Sequence, residues 1–577
     1  MIRIFPALFL IGAPIAGVAQ SAERQSAPLL ENSRHVVQRA DSVAARRAAM
    51  SAQRRFEQTR RHTMRVQYTG NDHVCDARIG RYCQWNDDNA VLPDDPAPVN
   101  KARQALLDAL ERVAALSPND GWITGQRVRY LIEARRDTAA VMVAQSCTGA
   151  AWWCHGLRGL ALHEAKAGTS ADSAFALALA SMPAAERCRW TDITVLLTPA
   201  QRKRYGKIGC GRNDALVSRI WWLADPLHSI PGNQRQAEHY SRHMMNLLLE
   251  SGPTGYGTSW ANDLRELVVR YGWVRVWTRP TATSTDPFAN SNSGHEASPS
   301  GRFLPDVARL DSLTSIGDSG WSVRARPSVE RYSLALAPRF TQIDAQIARF
   351  RRGDSALVVA AYDVSQDTTW AAATISAALV LSRDASAAAQ IVGPRTQTTW
   401  STAFFDGSPH LLSLEVFDFA KGRGAFHREV VSLPKATENQ VTVSDLLLFD
   451  PTSVQGDDTD DLFPKALGSL SVPRSRKLGL YWEIYGLARA DSALPLSLTL
   501  TRTGEGALSR LARSIGLGAA STPMTIRWRE SPGAGAVTSR SVSLDLERIP
   551  RGKYVLRMEL KPAGRQAVAT SRVIQLR

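Results

Sequence analysis

Lysine is scarce in this chain: ten residues in 577, against sixty arginines. Past residue 19 no run approaches eighteen apolar residues, so no later segment reads as a membrane span. There is no phosphate-cradling P-loop and no dinucleotide fingerprint, which argues against nucleotide-driven or hydride-transfer chemistry and leaves no cofactor to expect. Cysteine is limited to Cys75, Cys83, Cys147, Cys154, Cys188 and Cys210, with no CxxC, haem-attachment or zinc spacing among them. No basic stripe interleaved with aromatics is present, so nucleic acid is not an expected partner.

What is there begins with residues 1–19. Arg3 supplies a positive start, residues 4–18 a short apolar core and Gly17-Val18-Ala19 a small-residue cleavage site, the grammar of a secretory signal. No Cys follows the site, so a lipid anchor there is not expected. In an oxidising compartment six cysteines imply disulfides, with fifteen possible pairings. Nearest-neighbour spacing favours 75–83, 147–154 and 188–210. The remaining composition is that of a folded soluble protein, 44% hydrophobic and 21% charged, long enough for about two to four domains. The net charge of +16 speaks to association, and an anionic envelope polymer is one partner it admits. Arg-rich codon usage gives the same bias without any function.

Taken in order, residues 20–98 read as a basic arm, in which Val36, Ala40, Val43, Ala44, Ala48 and Phe56 make a loose helical stripe. A Cys75/Cys83 turn and a Pro-rich linker follow it. Residues 99–215 read as helical, opening on Ala105, Leu106, Ala109, Leu110, Val113 and Leu116. Within them Gly159, Leu162, Ala171, Phe175, Ala178 and Pro183 match Gly125, Val128, Asp137, Val141, Ala144 and Gly149 at a shift of thirty-four. This pattern resembles tetratricopeptide repeats. The resemblance implies stacked helix pairs and a protein or peptide partner, with Gly125 and Gly159 equivalent.

Residues 216–280 carry an ordered run of markers: Asp225-Pro226, Asn233 with Arg235, Trp260, Asp263, and Arg270-Tyr271-Gly272. Together they resemble the GWxTD domain of exported bacterial proteins, with Ser259 standing for the family Gly and Asn262 for the Thr. The resemblance names a module without an activity. The β-branched run Leu267-Val268-Val269 predicts a strand. Trp260 is expected to be buried between the helical and β parts, and Asp263 to pair with Arg270.

Residues 281–330, rich in Ser, Thr, Asn and Pro, read as a linker. Beyond them short apolar runs alternate with turn residues, as in β-sandwiches. Two β-rich domains are expected, 331–455 and 456–577. The fold class is therefore multidomain α + β: a helical-repeat half, a GWxTD-like α/β segment and one or two carboxyl-terminal sandwiches.

The catalytic candidates are sparse. Gly317-Asp318-Ser319-Gly320 has the form of a nucleophile turn, but no His sits in a partner motif. Glu238-His239 and His243 put two imidazoles on one helix face, yet the Glu precedes the first His, where a zinc peptidase needs it after. His163-Glu164 lacks the second His. A solvated face is the expectation for residues 238–243, and a solvated loop for the acidic run 457–461. Arg352-Gly353-Asp354 reads as a turn. No metal site is expected. The sequence thus points to an exported envelope protein acting as a non-enzymatic binding scaffold, with a hydrolase of envelope peptide or glycan as the alternative.

Overall fold

The computed structural model describes residues 27–66, 77–84, 94–274 and 276–577, apart from 280–291, 296–299, 307–309, 311–320, 322, 324–328, 372, 385–389, 396–397, 438–439, 453, 455–456, 488–493, 504–522 and 532–535. The signal sequence, the 75–83 bridge and the turn at 317–320 lie outside the described residues.

The first half is helical. It runs α1 (Ala27–Thr63), α2 (Ala97–Leu116), α3 (Gly121–Glu133), α4 (Asp137–Gln145), α5 (Ala151–Glu164), α6 (Gly168–Ser181), α7 (Ala184–Thr191), α8 (Pro199–Tyr205), α9 (Asp214–Ala224), α10 (Gln234–Glu250) and α11 (Asn262–Tyr271). The basic arm is in fact a packed helix over its later turns. Ala45, Ala49 and Phe56 are buried while Val43 of the expected stripe is exposed. Its inner face is largely polar: Gln53, Glu57 and Arg60 are buried against α3, where Arg129 and Tyr130 both donate to Glu57, at 3.1 and 2.8 Å. Paired buried charges of this kind leave no hydrophobic period to read.

Four helices, α3 to α6, form two consecutive hairpins, but their period is thirty-one residues and not thirty-four. The left-handed residues that end the first helix of each hairpin, Arg135 (φ 57°) and Lys166 (φ 61°), fix that spacing. Gly125 is therefore equivalent to Gly156: a Cβ on Gly125 would meet Leu248 at 2.7 Å, and one on Gly156 would meet Met244 at 2.9 Å, one turn apart on α10. A Cβ on Gly159 would instead meet the Phe175 ring of α6 at 2.6 Å, so its surroundings differ from those of Gly125. Trp122 and Trp153 are the equivalent aromatics.

The segment 216–280 is not a separate unit. Tyr240, Met244, Met245 and Leu248 of α10 share one core with α2 to α6. The expected strand at 267–269 is helical, inside α11. Leu264, Leu267, Val268 and Tyr271 fall at helical spacing and are all buried, so amphipathic packing outweighs the β-branched preference. Small strands border this half: β1 (Arg65–Val66), the hairpin β2 (Ala77–Ile79) and β3 (Tyr82–Gln84), β4 (Val276–Arg279) and β5 (Ser293–His295). The order β1-β4-β5 makes one three-stranded sheet.

The second half is two β-sandwiches. In the first, β6 (Arg339–Gln342), β9 (Ile375–Ser382), β10 (Gln390–Arg395), β12 (His410–Asp418) and β13 (Arg423–Val431) form a sheet in the order β10-β9-β12-β13-β6. It faces β11-β8-β7, where β7 is Ala345–Arg352, β8 is Ser355–Asp363 and β11 is Thr398–Phe405. Val358, Ala360 and Tyr362 of β8 meet Leu412, Leu414 and Val416 of β12 in the shared core. Arg352-Gly353-Asp354 is the β7–β8 turn, with Gly353 at φ +60°.

The second sandwich sets β14 (Thr442–Val443), β15 (Leu447–Phe449), β17 (Leu478–Tyr485) and β20 (Val537–Leu544) against a five-stranded sheet. That sheet has the order β16-β22-β21-β18-β19, from Ser471–Val472, Val568–Leu576, Gly552–Leu560, Leu494–Thr503 and Met524–Glu530. Because β14 and β15 pair with β17, the boundary between sandwiches falls between β13 and β14, not at 455/456. The outer face of β7 and β8 (Phe350, Leu357, Val359) packs on Leu447, Phe449 and Tyr481, joining the two sandwiches.

Nor is 281–330 simply a linker. Among its described residues Arg302, Phe303, Leu304, Leu310, Trp321 and Glu330 are buried, in the core that joins α9 to the first sandwich. Hydropathy averaged over a Ser- and Pro-rich tract hides such isolated anchors.

Candidate functional site

The residues that carry the sequence resemblance separate into two groups in space. The first group is Asp225, Pro226, Asn233 and Arg235, at the junction between helices and the first sandwich. Asn233 caps α10: its Oδ1 accepts from the Gln236 N–H at 2.9 Å, and its Nδ2 donates to the Trp221 carbonyl at 2.7 Å. Both ends of the amide are used, which an Asp could not reproduce. Arg235 is wholly buried beneath Trp221 and Tyr332 and donates to Glu330 at 2.5 Å. Arg302 donates to the other Glu330 oxygen at 2.5 Å.

The loop 225–229 is clamped from the sheet. Arg428 of β13 donates to the carbonyls of Leu223, Asp225 and Pro226, at 3.2, 2.6 and 3.2 Å. Glu415 of β12 accepts from the backbone N–H groups of His228 and Ser229, at 2.8 and 2.9 Å. Sequence reasoning missed Glu415, Arg428, Glu330 and Arg302. A charged residue inside an otherwise apolar strand, as in Ser413-Leu414-Glu415-Val416, was the available signal.

The second group is Trp260, Asp263, Arg270, Tyr271 and Gly272, around α11. Asp263 pairs with Arg81, 2.7 Å from Nε and 3.1 Å from Nη2, and not with Arg270. The contact is tight because Gly80 (φ +53°) lies directly on the Asp263 side chain. Arg270 instead pairs with Glu266 at 2.8 Å and donates to the Val329 carbonyl. Arg270 shares a helix face with Asp263 but stands two turns, about 10 Å, further along, and Glu266, one turn before it, is the nearer partner. Trp260 is half-buried, its indole N–H donating to Asn246, and packs on the cluster shared by α11 and the β2–β3 hairpin, not between the helices and the carboxyl-terminal sandwiches. Tyr271 is buried against Ile79 and Tyr82 of the β2–β3 hairpin. Gly272 ends α11 at φ +82°, and the Arg242 guanidinium that holds the Val269 and Arg270 carbonyls passes 3.6 Å from where its Cβ would be.

The imidazoles near 240 are not on a solvated face. His239 is fully buried and bonds the Trp190 carbonyl at 2.9 Å, and His243 stacks on Trp190. Burial depresses His239, helped by His243 and Arg235, and takes His243 down to about 4. Glu238 receives Arg242 at 2.6 Å and His163 at 2.8 Å. Burial would raise its carboxyl, but Arg242 and His163 outweigh this and hold it well below the carboxylate range. The expected loop at 457–461 is the capped start of a short helix, with Asp458 accepting from the Asp460 N–H. Cys147–Cys154 and Cys188–Cys210 are bonded. Among the described residues no group of three or more His, Cys, Asp or Glu forms a metal cluster. No helix there is long and apolar enough to cross a membrane.

A cavity of about 290 Å³ opens beside the first group, between the loop 225–233 and the end of β9. Trp222, Asp225, His228, Val380, Ser382 and Asp384 are among its walls.

No family model matches the chain, and no curated protein matches it. Solved structures with partial likeness include the FN1–FN3 domains of chicken CNTN1, at 7% identity over 41% of this chain and 68% of that one, with a TM-score of 0.15. Red sea bream transglutaminase is 11% identical over 40% of this chain and 31% of its own, with a TM-score of 0.13. A β-glucuronidase of Bacteroides uniformis is 11% identical over 38% of this chain and 26% of its own, with a TM-score of 0.14. This chain thus spans about a third or less of the two enzymes' lengths, and likenesses this slight carry no argument about activity.

Proposed function

We propose that this is an exported envelope protein that works by binding another protein and not by turnover. The observation that carries the reading is strand β19. It closes one end of the sheet order among the described residues, pairing only with β18, and it exposes Met524 (44%) and Ile526 (55%). Such an edge offers a ladder of backbone donors and acceptors to a second chain. Cross-strand register puts Arg527 and Arg529 on one face with Lys561, Arg557 and Lys553, against a single acid, Glu559. An extended, acidic segment is the partner this edge suits; an anionic envelope polymer would use the same charges without the ladder. The two disulfides support export, because such bonds persist in oxidising compartments. The motif residues support a scaffold too: each is engaged in holding one part of the chain to another.

The test is a photo-crosslinking residue at position 526 of the full chain in its native envelope, with exposed position 452 as control. A discrete protein adduct at 526 that is absent at 452 and lost on Arg527→Glu/Arg529→Glu supports the proposal. No adduct at 526, or the same products at both positions, overturns it. The hydrolase alternative gains instead if the chain releases peptide or glycan from isolated envelope and the double variant releases as much.

A further inference from the structure

Strand β19 is an edge with two unlike faces, and the pairing register tells them apart. On the outer side Arg527 pairs with Ser497 and Arg529 with Pro495, whose carbonyl takes the Lys561 N–H at 3.1 Å. Arg527, Arg529 and Lys561 border a depression of about 420 Å³ that Pro495 and Ser497 also line. Among the described residues no acid meets any of these three cations. Glu559, the carboxylate at the same depression, is bound to Arg557 at 3.1 Å.

On the inner side Met524, Ile526 and Trp528 pair with Leu500, Leu498 and Leu496 of the sandwich core. Ile526 is nonetheless 55% exposed, where its partner Leu498 is only 3%. Across the sandwich β20 pairs only with β17 among the described strands, so it is the edge of the facing sheet. Arg540 of β20 reaches over to Glu530 of β19 at 2.5 Å. Arg565 donates to the Gly486 carbonyl at that same end of the sandwich. Away from this bridge the seam between the two edges is apolar, with Ile526 and Met524 on one lip and Val542 and Leu544 on the other.

A second copy of this chain is the wrong occupant for such an edge. Pairing β19 with itself sets the arginines of one copy against those of the other, and like charges placed opposite destabilise a ladder. A strand added to β19 puts successive side chains on opposite faces. Those meeting Arg527 and Arg529 have to be acidic, and those between them, covering Ile526 and Met524, have to be apolar.

We infer that β19 takes a strand of a partner protein in which acidic and apolar residues alternate. The acids lie over Arg527 and Arg529, and the apolar side chains fill the seam beside Val542. The inference rests on the docking reading above and adds to it a period of two, which acidity alone does not satisfy.

The experiment is fluorescence anisotropy of the full mature chain with three labelled, end-capped hexapeptides. One alternates valine and aspartate, one has three valines followed by three aspartates, and one alternates valine and lysine. The alternating acidic peptide should bind at least about tenfold more tightly than either of the others. Arg527→Glu/Arg529→Glu should reverse the order of the two alternating peptides, a gain that loss of folding does not produce. No binding of the alternating acidic peptide, equal binding of its block isomer, or an unreversed order in the double variant overturns the inference. Any of these beside a discrete adduct at position 526 leaves the docking reading standing. Selective binding without that adduct upholds the period of two and removes the envelope partner instead.

Discussion

Arg235 and Glu330 lie ninety-five residues apart in sequence and 2.5 Å apart in space, and both are wholly buried. With Arg302 on the second carboxylate oxygen, they form a charged triad inside the core that joins the helical half to the first sandwich. Buried charge of this kind adds little net stability over an apolar packing, but it fixes one docking geometry and penalises every other. Arg428 and Glu415 repeat the device on the next loop, using backbone groups as partners. The motif residues therefore behave as clasps.

The Arg81–Asp263 bridge is the weakest of these clasps, because the Arg81 side chain is 44% exposed. Asp263→Asn is expected to cost no more than about 1 kcal/mol globally. Its effect should instead be local: amide exchange in β2–β3 should accelerate while α10 stays protected. Equal acceleration in both would place Asp263 in the global core.

The histidines give pH profiles of opposite sign. His239 and His243 have folded pKa values depressed by burial, His243 to about 4. Their contribution is present above the unfolded value near 6.5 and is lost as pH falls through the folded values. His243→Gln should therefore flatten the loss of stability between about pH 6.5 and 4 by roughly 2–3 kcal/mol. Burial works to lower His163 as well, but the Glu238 hydrogen bond and charge outweigh it and the net shift is upward. Its stabilisation is present below about 6.5 and is lost as pH rises through the raised value. Urea titrations of His163→Gln should thus show a larger deficit at pH 6 than at pH 9; the reverse order would rule out the charged pair.

Burial raises Asp225 well above the carboxylate range, against the pull of Arg428. A raised carboxyl is favourable to the fold below its unfolded pKa and unfavourable as pH rises through the folded one. Asp225→Asn keeps the Oδ1 acceptor and removes the ionisation. The variant should be more stable than the parent at pH 8 and indistinguishable from it at pH 3, a difference that thermal melts at the two values will read. A less stable variant at pH 8 would mean that the ionised carboxylate is held in the fold.

Loop length ranks the two disulfides. Cys188–Cys210 closes twenty-two residues and Cys147–Cys154 only seven, so chain entropy assigns about 3 and about 2 kcal/mol to them. Denaturant curves of Cys188→Ser/Cys210→Ser and Cys147→Ser/Cys154→Ser should fall in that order, and the opposite order would show native-state strain in the longer loop.

Much of this architecture is legible in the sequence where side chains alternate or recur cleanly. The runs at 478–485, 496–500 and 554–560 became β17, β18 and β21, and the Ala105–Leu116 period became α2. Legibility fails where partners are remote or polar. The inner face of α1 hides its period behind Gln53, Glu57 and Arg60, whose partners lie more than seventy residues away. The repeat slipped by three residues because Gly159, fitted to Phe175, was matched to Gly125 when Gly156 was the true counterpart. At α11 the β-branched pair Val268-Val269 suggested a strand, though Leu264, Leu267, Val268 and Tyr271 already carried the helical spacing. The cavity walls come from two stretches of chain about 150 residues apart, 222–233 and 380–384, and no local motif could have assembled them.

The clasp between the two halves is tested most directly by Glu330→Gln, through urea unfolding followed by amide exchange, read separately on the helices and on the strands of the first sandwich. The substitution leaves two buried guanidinium groups without a counter-charge, so a loss of about 3–5 kcal/mol is expected, with the two signals separating into distinct transitions as the halves uncouple. A loss below about 1 kcal/mol, with both signals still coincident, would contradict the clasp.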